Sequence, residues 1–206
     1  RKKFGCPLIM DSHMLEMASK NKFRKLYRWV YRKIFTPIIV KNKIQVIRTQ
    51  DDPYVEKDLG IPLSQAPWIS YGSDTMLFHP EQSCKKRFRA EQGISDDALI
   101  VVYAGKLIES KGGKLLAETF AKKFPVDREI VLVAVGNTSG DYGKEVEDIF
   151  QKSENRIIRF PTQKYQDLAY YFQIADLAVF PKQCSLSFYD TQACGLPVLS
   201  EDNNIN

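Results

Sequence analysis

The sequence predicts an α/β protein built on a parallel sheet, and three observations predict it. Apolar runs of strand length recur through residues 98–199, and between them lie segments whose apolar residues fall at helical spacing. The runs are apolar throughout rather than alternating, the pattern of strands covered on both faces. Composition agrees, since 206 residues that are 44% hydrophobic and 27% charged suffice for one or two domains with a substantial core.

The elements follow in chain order. Leu8-Ile9-Met10 predicts a short buried strand, with Asp11-Ser12-His13 as the loop at its end. From Phe23, the apolar residues Phe23, Leu26, Tyr27, Val30, Tyr31, Ile34 and Phe35 trace one face of a helix, wide enough to enter a domain core. Ile44 to Arg48 alternates as a strand, Asp51-Asp52-Pro53 opens a short helix closed by Leu59-Gly60, and Trp68-Ile69-Ser70 is another short strand. Tyr71-Gly72-Ser73-Asp74 breaks the pattern and divides residues 1–74 from 75–206. Strands at 98–104, 129–135, 156–160, 177–180 and 196–199 then alternate with helices at 112–124, 144–151, 165–175 and 187–193.

Several classes fall away. The longest apolar runs are far shorter than the roughly 20 residues that span a bilayer. Cys6, Cys84, Cys184 and Cys194 form neither a CxxC pair nor a close metal spacing, which fits a reducing cytoplasm. The sequence holds no GxxxxGK loop, HExxH or GxSxG, and no acidic pair at metal spacing, so no metal site is expected. Both ends read as cut, so a fragment is expected.

Formal charge is +5, and seven Lys or Arg residues crowd between Lys20 and Lys33. The face of Lys22, Arg24, Lys25, Arg28, Arg32 and Lys33, with Trp29 among them, is either a solvated helix surface or a segment resting on anionic lipid heads. No recognised motif supports nucleic-acid binding there.

Ligands of open parallel sheets bind outside the carboxyl ends of the strands, near helix N-termini that favour anions. The loop Gly105-Lys106 to Lys111-Gly112 sets two lysines around a strand-to-helix turn. They are either solvated surface cations or a pair converging on a diphosphate, where they would offset charge developing on a leaving nucleotide. The loop Pro181 to Ser187 runs into a helix carrying Asp190. That carboxylate is either favourably placed in a first helical turn or an acceptor for two ribose hydroxyls.

In order along the chain, Met10-Asp11-Ser12-His13, Ile69 to Asp74 with Phe78-His79-Pro80, Tyr103 to Gly112, Val133 to Gly136, Ile174 to Pro181, and Asp190 to Val198 resemble the retaining GT-B glycosyltransferases of family 4 (group 1). The resemblance implies two Rossmann-like domains. Residues 1–74 would be the carboxy-terminal part of the acceptor-side domain, and 75–206 a truncated nucleotide-sugar donor domain. It also implies transfer of a sugar from a nucleotide-sugar, a UDP-sugar, to a glycan or lipid-linked acceptor in O-antigen or capsule-type envelope assembly, without metal or other cofactor. The expected location is cytoplasmic, peripheral on the inner face of the membrane.

By the same resemblance, Lys106 and Lys111 hold the donor diphosphate beside Gly105, and Asp190 binds the ribose. Ser185, Leu186 and Ser187 turn backbone amides to the phosphate, Phe160-Pro161-Thr162 lies beside the base, and His13 bonds a hydroxyl of the transferred sugar. Two positions depart from the pattern. Lys182 stands where the family carries a first Glu, leaving Gln183 as its substitute, and Asp190 is one methylene shorter than the usual second Glu. Another GT-B enzyme such as a sugar-nucleotide epimerase, or a non-catalytic sugar-nucleotide-binding module, is the alternative.

Overall fold

The computed structural model of the chain describes residues 6–12, 22–49, 53–183 and 185–202. The chain divides into two compact units, Arg1–Tyr71 and Gly72–Asn206, so the break falls slightly ahead of the Asp74 boundary expected from sequence.

In the first unit, strand β1 (Ile9–Ser12) pairs in parallel with β2 (Gln45–Arg48). Between them run α1 (Arg24–Val30), a π-helical turn (Tyr31–Phe35) and α2 (Thr36–Lys41), followed after β2 by the single turn α3 (Tyr54–Lys57). Ile39, Ile44, Val46, Tyr54, Val55, Leu59 and Ile61 form its core. The expected short strand at Trp68–Ser70 reduces to one bridge between Trp68 and Arg48.

The first helix departs from expectation. Most of its apolar stripe stays out of the core: Leu26 is 56% exposed and Phe23, Tyr27, Ile34 and Phe35 are exposed too, while Tyr31 packs against the core. Arg24 and Arg28 turn inward instead. Arg28 pairs with Asp58, and Arg32 donates to the Lys57 carbonyl at 3.2 Å while lying against Gly60. Periodicity located the helix but not the side that packs, because both stripes repeat with the same 3.6-residue period.

The second unit holds the strict alternation the sequence predicted. Strands β3 (Leu99–Ala104), β4 (Ile130–Val135), β5 (Arg156–Phe160), β6 (Leu177–Phe180) and β7 (Val198–Ser200) form one parallel sheet in the order β5-β4-β3-β6-β7. Side chains alternate across it as strand geometry requires. Ile100, Val102 and Ala104 of β3 enter one core with Phe88 and Phe172. Val101 and Tyr103 enter the opposite core with Leu116, Phe120, Val146 and Phe150. Helices α5 (Gly113–Ala121) and α6 (Gly140–Gln151) therefore cover one face, and α7 (Tyr165–Gln173) covers the other, where α8 (Ser187–Ala193) packs on α7 and β7.

A further helix, α4 (Gln82–Gln92), was not expected, since its sequence is strongly polar and only Phe88 and Arg89 are buried. Its ends are nevertheless signalled. Glu81 caps the start by accepting the Ser83 N–H at 2.9 Å, and Gly93 takes the left-handed turn that closes it. Asp176 ties this helix to the sheet: its carboxylate accepts from Lys85 at 2.7 Å, Arg89 at 2.8 Å and the Ile100 N–H at 2.8 Å.

Candidate functional site

The chain winds from β3 through β4 to β5 on one side and from β6 to β7 on the other, so the winding reverses between β3 and β6. Ligand crevices of such sheets open beyond the strand ends at that point. The loops that leave β3 and β6 meet there. A Cβ on Gly112 would approach Pro181 Cβ to 2.9 Å and Lys182 Cγ to 3.2 Å, and the Gln183 N–H reaches the Ser110 carbonyl at 3.4 Å.

Local bonding fixes the loop after β3. The buried Tyr103 phenol donates to the Lys106 carbonyl at 2.9 Å, and the Leu107 N–H donates to the Asn137 carbonyl at 3.1 Å, burying the Leu107 side chain beneath the turn. Asn137 also accepts the Thr162 N–H at 2.9 Å through its own side chain, so it joins the loops that follow β3, β4 and β5. Gly136, at φ +142°, permits the approach, because a Cβ there would stand 1.9 Å from the Gly105 carbonyl oxygen.

A cleft of about 210 Å³ lies over these loops, lined by Gly105, Lys106, Gly136, Thr162, Gln163, Leu168, Ser185 and Ser187. Five residues expected from sequence thus line one cavity: Gly105, Lys106, Thr162, Ser185 and Ser187. The Ser185 hydroxyl is buried and has no hydrogen-bond partner among the described residues, an unmet polar group of the kind a ligand satisfies. Beside it, and sharing Gly136, a hollow of about 350 Å³ is lined by Asn137, Thr138, Glu147, Arg159, Phe160 and Pro161. Arg159 is committed there, since Glu147 binds it through both carboxylate oxygens and the Gly136 carbonyl accepts from it at 3.0 Å. That guanidinium holds the Glu147 carboxyl below the usual carboxylate range. A larger hollow, near 480 Å³, surrounds the opposite strand ends at Ile130 and Arg156, away from the crevice.

The other expected residues stand apart from the first cleft. Lys111 closes a 3₁₀ turn, its Cδ 3.7 Å from where a Gly105 Cβ would sit, so its stem lies over the start of the loop. Gln183 and Leu186 are exposed. Asp190 is only 3% exposed; its Oδ1 accepts from Ser73 Oγ at 2.7 Å and from the Tyr165 hydroxyl at 3.4 Å. Burial raises the Asp190 carboxyl above the usual carboxylate range, and these two bonds partly offset the rise. His13 lies outside the described residues, as do Lys20 and Cys184. Among the described residues, no three His, Cys, Asp or Glu side chains gather as a metal site would require, and no helix is long and apolar enough to cross a membrane.

Asn137, Gln163, Leu168, Ser73 and Tyr165 were not among the site residues expected from sequence, although Asn137 and Gln163 lie in loops, residues 136–143 and 160–164, that follow strand ends as the crevice rule requires. Asn137 directly follows the Val133–Gly136 run already singled out, so the signal stood one residue away. Ser73 and Asp190 are 117 residues apart, and no local pattern joins them.

Comparisons with known proteins agree with this architecture. The D-inositol 3-phosphate glycosyltransferase of Segniliparus rotundus is 28% identical over 137 residues, covering 63% of this chain and 30% of that protein. The lipopolysaccharide 1,2-N-acetylglucosaminetransferase of Salmonella typhimurium is 28% identical over 123 residues, covering 54% of this chain and 32% of that protein. The chain therefore spans about a third of the length of these curated relatives. Among solved structures, Anabaena Alr3699/HepE in complex with UDP superposes with a TM-score of 0.73 at 19% identity, over 97% of this chain and 54% of that one, which shows the GT-B fold. Residues 85–206 match the family model of the glycosyl transferases group 1, and the chain belongs to that family.

Proposed function

We propose that the cleft between the loops after β3, β5 and β6 binds the diphosphate of a nucleotide-sugar, and that the whole protein transfers the sugar to a glycan or lipid-linked acceptor. The observation that carries this reading is the buried, unpartnered Ser185 hydroxyl lining the same cavity as Lys106, Gly105 and Ser187. A phosphate oxygen would accept from that hydroxyl and from the Lys106 ammonium. Phe160 and Pro161, in the adjoining hollow, would flank the base. As the bond from sugar to diphosphate breaks, the electron pair leaves with the phosphate, and Lys106 with Lys111 offsets the charge that accumulates. The acceptor hydroxyl passes its proton to the departing phosphate oxygen as it bonds to the same carbon from the same side, with retention of configuration.

UDP as the carrier is supported by the structural likeness to a UDP-bound protein. A role in envelope polysaccharide assembly is supported by similarity to a lipopolysaccharide glycosyltransferase. Peripheral contact with anionic membrane is supported by Lys22, Lys25 and Lys33 beside exposed Leu26 and Trp29. Salt-sensitive flotation of the full-length protein with anionic vesicles checks it, and its absence removes that contact.

Calorimetric titration of the full-length protein with UDP, GDP and ADP tests the donor site. One nucleotide should bind, and Lys106→Ala should weaken it by about 1–3 kcal/mol, the range for hydrogen bonds to charged groups. Failure of all three to bind would reject the site. A second reading, nucleotide binding without transfer, is favoured by Lys182 at the position where the family resemblance places a carboxylate. Turnover by the full-length protein excludes it.

A further inference from the structure

Asp190 sits at a junction that the donor site alone does not explain. It lies three residues after Ser187, hence on the same face of α8 as a residue lining the cleft. Tyr165 opens α7 directly beyond the loop that supplies Thr162 and Gln163 to the cleft. The carboxylate therefore lies next to residues that flank the cleft, without lining it itself. Its strongest partner comes from elsewhere: Ser73, immediately past the division between the units, donates to Oδ1 at 2.7 Å.

The segment around Ser73 has its own anchors. Asp74 accepts the Leu77 and Phe78 N–H groups at 3.0 and 2.7 Å, and its side chain accepts the Met76 N–H at 3.0 Å. Phe78 is fully buried and meets the Tyr165 ring edge-on at 5.1 Å. Everything from Asp74 onward is fixed without Asp190. Of the hydrogen bonds described, the one that holds Ser73 itself to this unit is the one to Asp190.

An aliphatic hydroxyl donating to a buried carboxylate at the rim of a nucleotide cleft has the chemistry of a ribose hydroxyl. We propose that Ser73 occupies the acceptor on Asp190 that a ribose hydroxyl of the bound nucleotide takes over, so that donor binding releases the chain at the junction of the two units. This rests on the reading of the cleft as a nucleotide-sugar site. The exchange replaces one hydroxyl by another on the same oxygen, so little free energy separates the two states and either occupant can prevail. Linkage requires reciprocity: whatever the ribose must displace weakens its binding, and removing the competitor strengthens it.

Calorimetry and hydrogen exchange on the full-length protein test the exchange. Ser73→Ala should bind UDP about 3- to 10-fold more tightly than wild type, Ser73→Thr should restore the wild-type affinity, and 2′,3′-dideoxyuridine diphosphate should not distinguish Ser73→Ala from wild type. Saturating UDP should speed amide exchange at Ser73 in wild type, while in Ser73→Ala the amide of residue 73 should exchange fast without ligand. UDP binding that Ser73→Ala leaves unchanged or weakens, or UDP that slows exchange at Ser73, overturns the exchange and leaves the donor site standing. Absence of binding by UDP, GDP and ADP overturns both.

Discussion

Ser185 shows how one residue separates stability from function. Its hydroxyl is buried without a partner among the described residues, a configuration that costs about 1–3 kcal/mol relative to a solvated or bonded group. Ser185→Ala removes that unmet group, so the expected outcome is an unchanged or raised melting temperature together with weaker UDP binding. A variant that loses stability and keeps its affinity would mean that the hydroxyl serves packing alone. Glu147 makes the opposite case. Its carboxyl is depressed first by the bond from Arg159, so its contribution to stability is present above the unfolded-state value and is lost as pH falls through the lower folded-state value. Glu147→Gln should therefore be less stable than wild type at neutral pH, and the two unfolding curves should converge in acid. The place of Lys106, Ser185 and Ser187 on one cleft was legible in the sequence, because each lies in a loop, or at the helix start, that follows a recognisable strand. The Ser73–Asp190 bond was not, because nothing local links a residue before the sheet to one in its last helix.

At the level of elements, the glycine after β4 sets how closely two loops can approach. A methyl group at Gly136 would collide with the Gly105 carbonyl, and its φ of +142° is strained for any side chain. Gly136→Ala must displace the loop that carries Lys106, so it should lower stability by more than about 1 kcal/mol and weaken nucleotide binding as well. Denaturant titration and calorimetry on the same variant read both effects, and intact affinity would show that Lys106 does not need that loop position. Most strands and helices of the second unit were readable because β3, β4 and β6 are apolar on both faces and α5, α6 and α7 each present an apolar stripe. Helix α4 escaped because its hold on the sheet runs through Arg89, Lys85 and Asp176 rather than through an apolar stripe. Helix α1 was found but not how it packs, since Arg28 pairs with Asp58 and, in the π-helical turn that follows, Arg32 reaches the Lys57 carbonyl while Tyr31 packs on the core.

At the scale of the whole molecule, every described residue that lines the cleft belongs to Gly72–Asn206, and none to Arg1–Tyr71. A ligand that binds only the folded form of a unit stabilises that unit by RT ln(1 + [L]/Kd), about 2.7 kcal/mol at a hundredfold excess over Kd. Amides in the central strands β3, β4 and β6 exchange through the largest openings of their unit, so they should feel this in full and exchange about a hundredfold more slowly with UDP present. The amides of β2, in the first unit, should keep their rates if the two units open independently. Hydrogen exchange at Val101, Val133 and Ala178 against Val46 reads the contrast directly. Equal protection at all four would show that the chain opens as one cooperative body. Protection confined to Val46 would move the nucleotide out of the crevice between β3 and β6, and with it the roles of Lys106 and Ser185.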